Sequence, residues 1–172
     1  ASAASTPAAF FVPPDARAIQ YRERGKTHEI SYQIDATYPA RSFLCELTRH
    51  LDRLQWSALR EDALNGGLES SFIRGWIEYD NAVRQPETHA HAWMSDWRSR
   101  GGDLLTYQLR YEYPTSVEPE LATLKVTAFL WPVAVVRAEL GRRADQLADL
   151  VIPRGSVSKD TGLRISDLCA QP

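Results

Sequence analysis

The chain has 172 residues, of which 44% are hydrophobic and 24% charged. This is the composition of a globular protein with one domain, large enough to bury a core. The formal net charge of −2 at pH 7 argues against a domain that binds nucleic acid through bulk positive charge. No stretch approaches the roughly 20 apolar residues of a membrane-spanning helix, so no membrane span is expected.

The N-terminal stretch ASAASTPAAFFV consists mostly of small residues, and we expect a flexible leader over residues 1–12. A start that is rich in alanine and serine and lacks methionine is typical of a chain cut by signal peptidase behind an A-x-A-type site. We therefore expect an exported bacterial protein that is periplasmic or secreted. A cytosolic protein with a flexible N-terminal arm is the alternative.

Two strands and a helix come first in the predicted domain. Ala16–Arg22 favours a short strand, and residues 28–36 alternate apolar and polar side chains in the manner of a half-buried strand. Tyr38-Pro39 opens a helix, because proline is favoured at the first helical position. An apolar stripe over residues 40–54 predicts a long amphipathic helix, and Trp56 is expected under the sheet edge.

Four strand-like segments and a second helix follow. The strands are predicted at residues 71–80, 88–98, 103–113 and 121–131, and the helix over Val133–Val151. The order ββαββββα indicates an α+β two-layer sandwich, an antiparallel sheet of about five to six strands with the long helix packed on one face. The single domain is predicted over residues 13–151, and residues 152–172 are predicted to form a C-terminal tail.

Cys45 and Cys169 are the two cysteines of the chain. Cys45 falls on the apolar face of the first helix, so in an oxidising compartment a disulfide could attach the tail to that helix. Two cysteines make no disulfide framework, and the sequence slightly favours the alternative of one buried and one loose thiol.

The stretch ETHAHAWMSDW carries two of the four histidines and two of the five tryptophans. Its orientation depends on the register of the central hairpin. A two-residue Gly101-Gly102 loop pairs residues whose numbers sum to 203, which sets Trp93 opposite Arg110 and His91 opposite Glu112. A three-residue loop with a bulge would move every side chain to the other face. The uncharged character of one resulting face favours the two-residue loop.

This register places four of the five tryptophans on the sheet face opposite the long helix. Large exposed aromatic patches mark interfaces or ligand sites, and Trp beside Arg suits stacking and cation–π contacts. The predicted ligand-binding residues are Arg74, Trp76, His91, Trp93, Trp97, Arg110 and Trp131, with His89, Lys125 and Phe129 beside them. The second helix, or the N-terminal residues Phe10 and Phe11, could cover part of this face.

The leading hypothesis is an exported, non-catalytic domain that binds a small ligand or a protein partner through the Trp/Arg face, with no cofactor and no nucleic acid. The alternative is a hydrolase or metal-dependent enzyme, in which His89 or His91 acts as general base or, with Glu112, ligates zinc. The H-x-H pattern resembles a fragment of the cupin motif but lacks its downstream glutamate and glycine spacing. A structural or assembly subunit that forms homo-oligomers through the same face is the third hypothesis.

Overall fold

The computed structural model describes residues 6–36, 40–59, 71–73, 76–80, 88–114, 122–151 and 169. The strands are β1 (Arg17–Arg24), β2 (Thr27–Ala36), β3 (Ser57–Ala58), β4 (Ser71–Ile73), β5 (Trp76–Asp80), β6 (Thr88–Arg98), β7 (Leu104–Pro114) and β8 (Ala122–Trp131). The helices are α1 (Arg41–Arg53), α2 (Val133–Leu140) and α3 (Arg142–Gln146), followed by a 3₁₀ helix at Leu147–Leu150.

The strands form one antiparallel sheet in the order β1-β2-β8-β7-β6-β5-β4, with β3 paired to β6. Six of the strands have five residues or more, and β3 and β4 have two and three. The antiparallel sheet with helices confirms the predicted α+β class. No described helix combines the length and apolar character needed to cross a membrane.

The helices are shorter than predicted. The helix α1 has 13 residues, and the continuous helix expected over Val133–Val151 is divided into α2, α3 and the 3₁₀ helix. The division falls at Gly141, whose φ of 54° lies outside the helical region and ends α2. The continuous second helix is therefore wrong, whereas α1 lies where the first helix was predicted and is short rather than long.

The main core lies between α1 and one face of the sheet, which we call the inner face. Alternate residues of β2, β7 and β8 point toward α1, since successive side chains of a strand lie on opposite faces. The buried inner-face residues are Ile30, Tyr32, Ile34, Leu105, Tyr107, Leu109, Leu124, Val126 and Ala128. Phe43, Leu44, Leu47 and Leu51 of α1 cover them. Trp56, at 8% exposure, joins this core as expected.

A second, smaller cluster lies on the outer face, the sheet face opposite α1. Leu104 of β7 and Trp131 of β8 pack there against Val136 of α2 and Leu147 of the 3₁₀ helix. The C-terminal helical region therefore covers one end of the outer face, as the sequence allowed.

The central hairpin has a register that differs by one residue from the prediction. The main-chain N–H of Ser99 donates to the carbonyl of Asp103 at 3.0 Å, and Gly102 donates to Ser99 at 3.1 Å. These bonds enclose a three-residue loop in which Gly102 has a φ of 94°, the bulged hairpin loop that requires glycine at that position. The Asp103 carboxylate also accepts the N–H of Val133 at 2.8 Å, which ties the loop to α2.

Cys45 and Cys169 form a disulfide with an S–S distance of 2.09 Å. Cys45 lies on the buried side of α1, at 6% exposure. The alternative of one buried and one loose thiol is wrong, and the pairing that would attach the tail to the helix is the one that forms.

Candidate functional site

The hairpin register moves Trp97 away from the predicted Trp/Arg face. Trp97 lies opposite Leu105, is 2% exposed, and belongs to the core beneath α1. Its indole N–H donates to Ser95 Oγ at 2.8 Å. The placement of Trp97 on an exposed platform is therefore wrong, and the reason is the bulged loop, which turns β6 over relative to the predicted pairing.

The register also changes the cross-strand partners of the other site residues on β6. Trp93 lies opposite Leu109 rather than Arg110, and His91 lies opposite Tyr111 rather than Glu112. Both predicted pairs are wrong for the same reason as the position of Trp97.

Four residues of the predicted Trp/Arg face do lie together on the outer face, namely Arg110, Lys125, Phe129 and Trp131. Arg110 lies directly opposite Lys125, and both are exposed. The rings of Phe129 and Trp131 stack with centroids 5.6 Å apart. Trp131 is partly covered by α2, so the aromatic pair and the cation pair form a smaller surface than the predicted platform.

The side chains of the remaining candidates lie outside the described part of the structure. These are Arg74, Trp76, His89, His91, Trp93 and Glu112. Their ligand-binding and metal-binding roles stay predictions. Among the side chains that are described, no group of three or more His, Cys, Asp and Glu residues could hold a metal ion.

A different site emerges around residues 6–12, which we call the N-terminal segment. The sequence assigned it to the leader, but it lies on the inner face between α1 and β1. Ala9 and Phe10 are each 6% exposed and belong to the main core. A turn closed by the Phe10 N–H and the Pro7 carbonyl at 3.0 Å shapes its first half.

Two buried tyrosine hydroxyls bind the main chain of the N-terminal segment. The Tyr107 hydroxyl accepts the N–H of Phe11 and donates to the carbonyl of Ala9, both at 3.0 Å. The Tyr32 hydroxyl donates to the carbonyl of Phe11 at 2.6 Å. Burial raises the pKa of both tyrosines, so both hydroxyls remain protonated donors at neutral pH.

The C-terminal end of α1 holds the other side of the segment. His50 Nε2 lies 2.7 Å from the carbonyl oxygen of Ala8, and because that oxygen can only accept, Nε2 carries the proton. The Phe11 ring lies between Phe43 and His50, with centroid distances of 6.1 and 5.3 Å. We call the surface formed by Tyr32, Phe43, His50 and Tyr107 the docking groove.

An open cleft lies beside the N-terminal segment and has a volume of about 760 Å³. Its lining consists of Thr6, Pro7, Ala8, Phe10, Phe11, Val12, Ile19, Tyr21, Ile30 and His50. Ile19 of β1 is 53% exposed and is the most exposed large apolar side chain among the described residues. Sites for small molecules typically have volumes of about 300–1,000 Å³ and mostly apolar linings.

A polar group borders the cleft at Tyr21. The Tyr21 hydroxyl lies 2.6 Å from His28 Nδ1 and 3.2 Å from Glu23 Oε1. Desolvation and the Glu23 carboxylate raise the pKa of Tyr21. The hydroxyl donates to Glu23 and can also accept a hydrogen bond, so it is able to bind a polar group of a ligand.

A buried carboxyl group lies on β6, away from the cleft. Asp96 is 7% exposed, and its Oδ1 accepts the hydroxyl of Thr106 at 2.7 Å. Burial raises its pKa to about 6, although the Thr106 hydrogen bond opposes this effect. Buried carboxyl groups with raised pKa values occur at catalytic sites and also as structural groups.

Sequence patterns failed to indicate the cleft because its walls come from distant elements. The available signals were the aromatic pair Phe10-Phe11 in a segment otherwise read as a leader, and Ile19 in a polar strand. Comparison of the chain with protein-family models, curated proteins and solved structures finds no match. The class supported by fold and site is an α+β domain with an open, largely apolar cleft.

Proposed function

We propose that this protein is an exported, non-catalytic domain that binds a small apolar ligand in the cleft between the N-terminal segment and β1. The observation that carries the proposal is the volume of about 760 Å³ together with a mostly apolar lining. An exposed isoleucine on the cleft wall supports it, because burying Ile19 beneath a ligand removes apolar surface from water.

The lining favours a ligand with an apolar body and one hydrogen-bonding group. Ile19, which is exposed, and Phe11 and Val12, which are half-buried, offer aliphatic and aromatic surface to the body. The Tyr21 hydroxyl, which lies beside Glu23 and His28, suits the polar group. A few polar groups on an apolar surface fix the orientation of a ligand.

The disulfide supports the exported location in this proposal. Cys45 and Cys169 are bonded to each other, and structural disulfides persist in oxidising compartments such as the bacterial periplasm or the extracellular space. The alternative of an enzyme that uses His89 or His91 stays a prediction. Calorimetric titration with zinc tests its metal-dependent form, which a lack of saturable heat would exclude.

A neutral fluorescent probe, N-phenyl-1-naphthylamine, tests the cleft directly. We expect saturable binding to the wild-type protein, with the emission shifted to the blue. The variant Ile19→Ser should bind the probe at least about five-fold more weakly, because it removes apolar contact area.

Leu54→Ser is the matched control. Leu54 is the other exposed large apolar side chain among the described residues, at 41%, and it does not line the cleft. Its substitution should leave probe binding unchanged. Equal weakening by both substitutions, or no saturable binding to the wild-type protein, would contradict the proposed site.

A further inference from the structure

The N-terminal segment is held in the docking groove as a bound peptide would be. The groove contacts the main chain of Ala8, Ala9 and Phe11 through Tyr32, Tyr107 and His50. The side chains of Ala9 and Phe10 are buried beneath the segment. None of these contacts requires that the segment and the groove belong to the same chain.

An empty groove would be costly. Removal of the segment would take the Phe11 carbonyl from the Tyr32 hydroxyl, break two hydrogen bonds of the Tyr107 hydroxyl and expose the apolar surface that covers Phe10 and Phe11. An unpaired buried polar group is energetically unfavourable. When the segment leaves, refilling of the groove is therefore strongly favoured.

The connection after the segment is short and stiff. Pro13-Pro14 follows Val12 directly, and a turn closed by the Ala16 N–H and the Pro13 carbonyl at 3.1 Å leads into β1. Consecutive prolines restrict the chain to extended conformations, and short stiff hinges favour exchange of a segment between copies. The strand β1 lies at one end of the described strand order, so a second chain can approach without displacing a strand.

From these contacts we infer that the docking groove also binds the N-terminal segment of a second copy of this chain, so that two chains exchange residues 6–12. The segment that binds has a turn over Pro7–Phe10, a second aromatic residue after Phe10, and no charged side chain. This inference concerns the groove beneath the segment and does not depend on the ligand of the open cleft.

Two full-length variants with complementary defects test the inference. The segment variant carries Ala9→Glu and Phe10→Ala, which weaken the binding of the N-terminal segment and leave the docking groove unchanged. The groove variant carries Tyr32→Phe and Tyr107→Phe, which remove the three hydroxyl hydrogen bonds and keep the aromatic packing. The intramolecular segment has an effective concentration in the millimolar range, so weakening it is what makes exchange measurable.

Sedimentation velocity of the mixture is the measurement. At on the order of 100 µM, we expect a 1:1 complex at least about ten-fold tighter than the self-association of either variant. A mixture that sediments as the sum of two monomers overturns the inference. A second experiment measures the binding of a synthetic peptide of residues 6–12. Binding of the peptide without association of the chains also overturns the inference that a second copy supplies the segment.

Near-UV circular dichroism and cooperative urea unfolding establish that each variant is folded. If the segment variant unfolds, Phe10→Leu alone replaces it, because a smaller side chain weakens packing without burying a charge. Binding of the naphthylamine probe to the wild-type protein is recorded separately. Loss of chain association with intact probe binding rejects segment exchange and leaves the ligand site standing.

Discussion

The buried carboxyl group of Asp96 should make the free energy of unfolding depend on pH by an amount that can be calculated. Its pKa is about 6 in the folded protein, against the usual 3.8, because burial disfavours the charged form. The two values differ by roughly two pH units, which corresponds to about 3 kcal/mol. The folded state binds this proton more tightly than the unfolded state does. The stabilisation is therefore complete below about pH 4 and is lost as the pH rises through about 6.

The substitution Asp96→Asn removes the charge and keeps an oxygen that can accept the Thr106 hydroxyl. At pH 4 we expect similar free energies of unfolding for the variant and the wild-type protein. At pH 8 the variant should be more stable by up to about 3 kcal/mol. Urea unfolding followed by tryptophan fluorescence at pH 4, 6 and 8 measures the difference.

Asp35→Asn is a control, for which the expected change in stability at neutral pH has the opposite sign. The hydrogen bond from Arg17 to Asp35, at 2.7 Å, lowers the pKa of that carboxyl. Its variant should lose stability at neutral pH relative to the wild-type protein, and this difference should shrink in acid. An Asp96→Asn variant that is less stable than the wild-type protein at pH 8, or a difference independent of pH, would refute the reasoning.

Three further predictions concern the disulfide, the hairpin loop and the docking groove. Replacing Cys45 and Cys169 with serine should cost up to about 5 kcal/mol, because the bond joins residues 124 apart in the sequence. An unchanged urea midpoint would contradict this. Gly102→Ala should lower the melting temperature, with a loss of about 1–3 kcal/mol, because φ is 94° and the added Cβ would lie 3.0 Å from a neighbouring side chain. Gly101→Ala, whose Cβ meets its nearest atom at 3.9 Å, should melt close to the wild-type protein. Tyr107→Phe removes two hydrogen bonds to the N-terminal segment and should cost about 1–3 kcal/mol in urea unfolding, and a neutral effect would argue against tight docking.

Most strands were predictable because their signal is local, but the single strand predicted over residues 71–80 is wrong, since β4 and β5 pair antiparallel there. The prediction of a strand over residues 88–98 matches β6, those for β2 and β8 differ by a residue at one end, and that for β7 is shifted by one residue. Alternation of apolar and polar residues, bounded by glycine and proline, was sufficient for these elements.

The face of β6 was not predictable in the same way. The sequence is compatible with a two-residue loop and with a three-residue loop, and the two lead to opposite orientations of Trp97. The choice is made by contacts far along the chain, namely the bond between Asp103 and Val133 and the burial of Trp97 beneath α1. An error of one residue in one loop therefore misplaced the candidate site residues of β6.

The docking of residues 6–12 depends on similarly distant partners. Tyr32 and Tyr107 read as ordinary strand residues, and nothing local shows that their hydroxyls reach the main chain at Ala9 and Phe11. Composition alone therefore assigned Phe10, a core residue, to the leader.

The helix α1 is attached to residues near both ends of the chain. His50 and Phe43 contact residues 8–11 ahead of β1, and Cys45 is bonded to Cys169 beyond the last described helix. Protein regions open in cooperative units, and a unit that several segments share must open before any of them is released. The stability of α1 therefore affects both attachments, and local opening of α1 loosens the docking of the N-terminal segment while the bond between Cys45 and Cys169 stays intact.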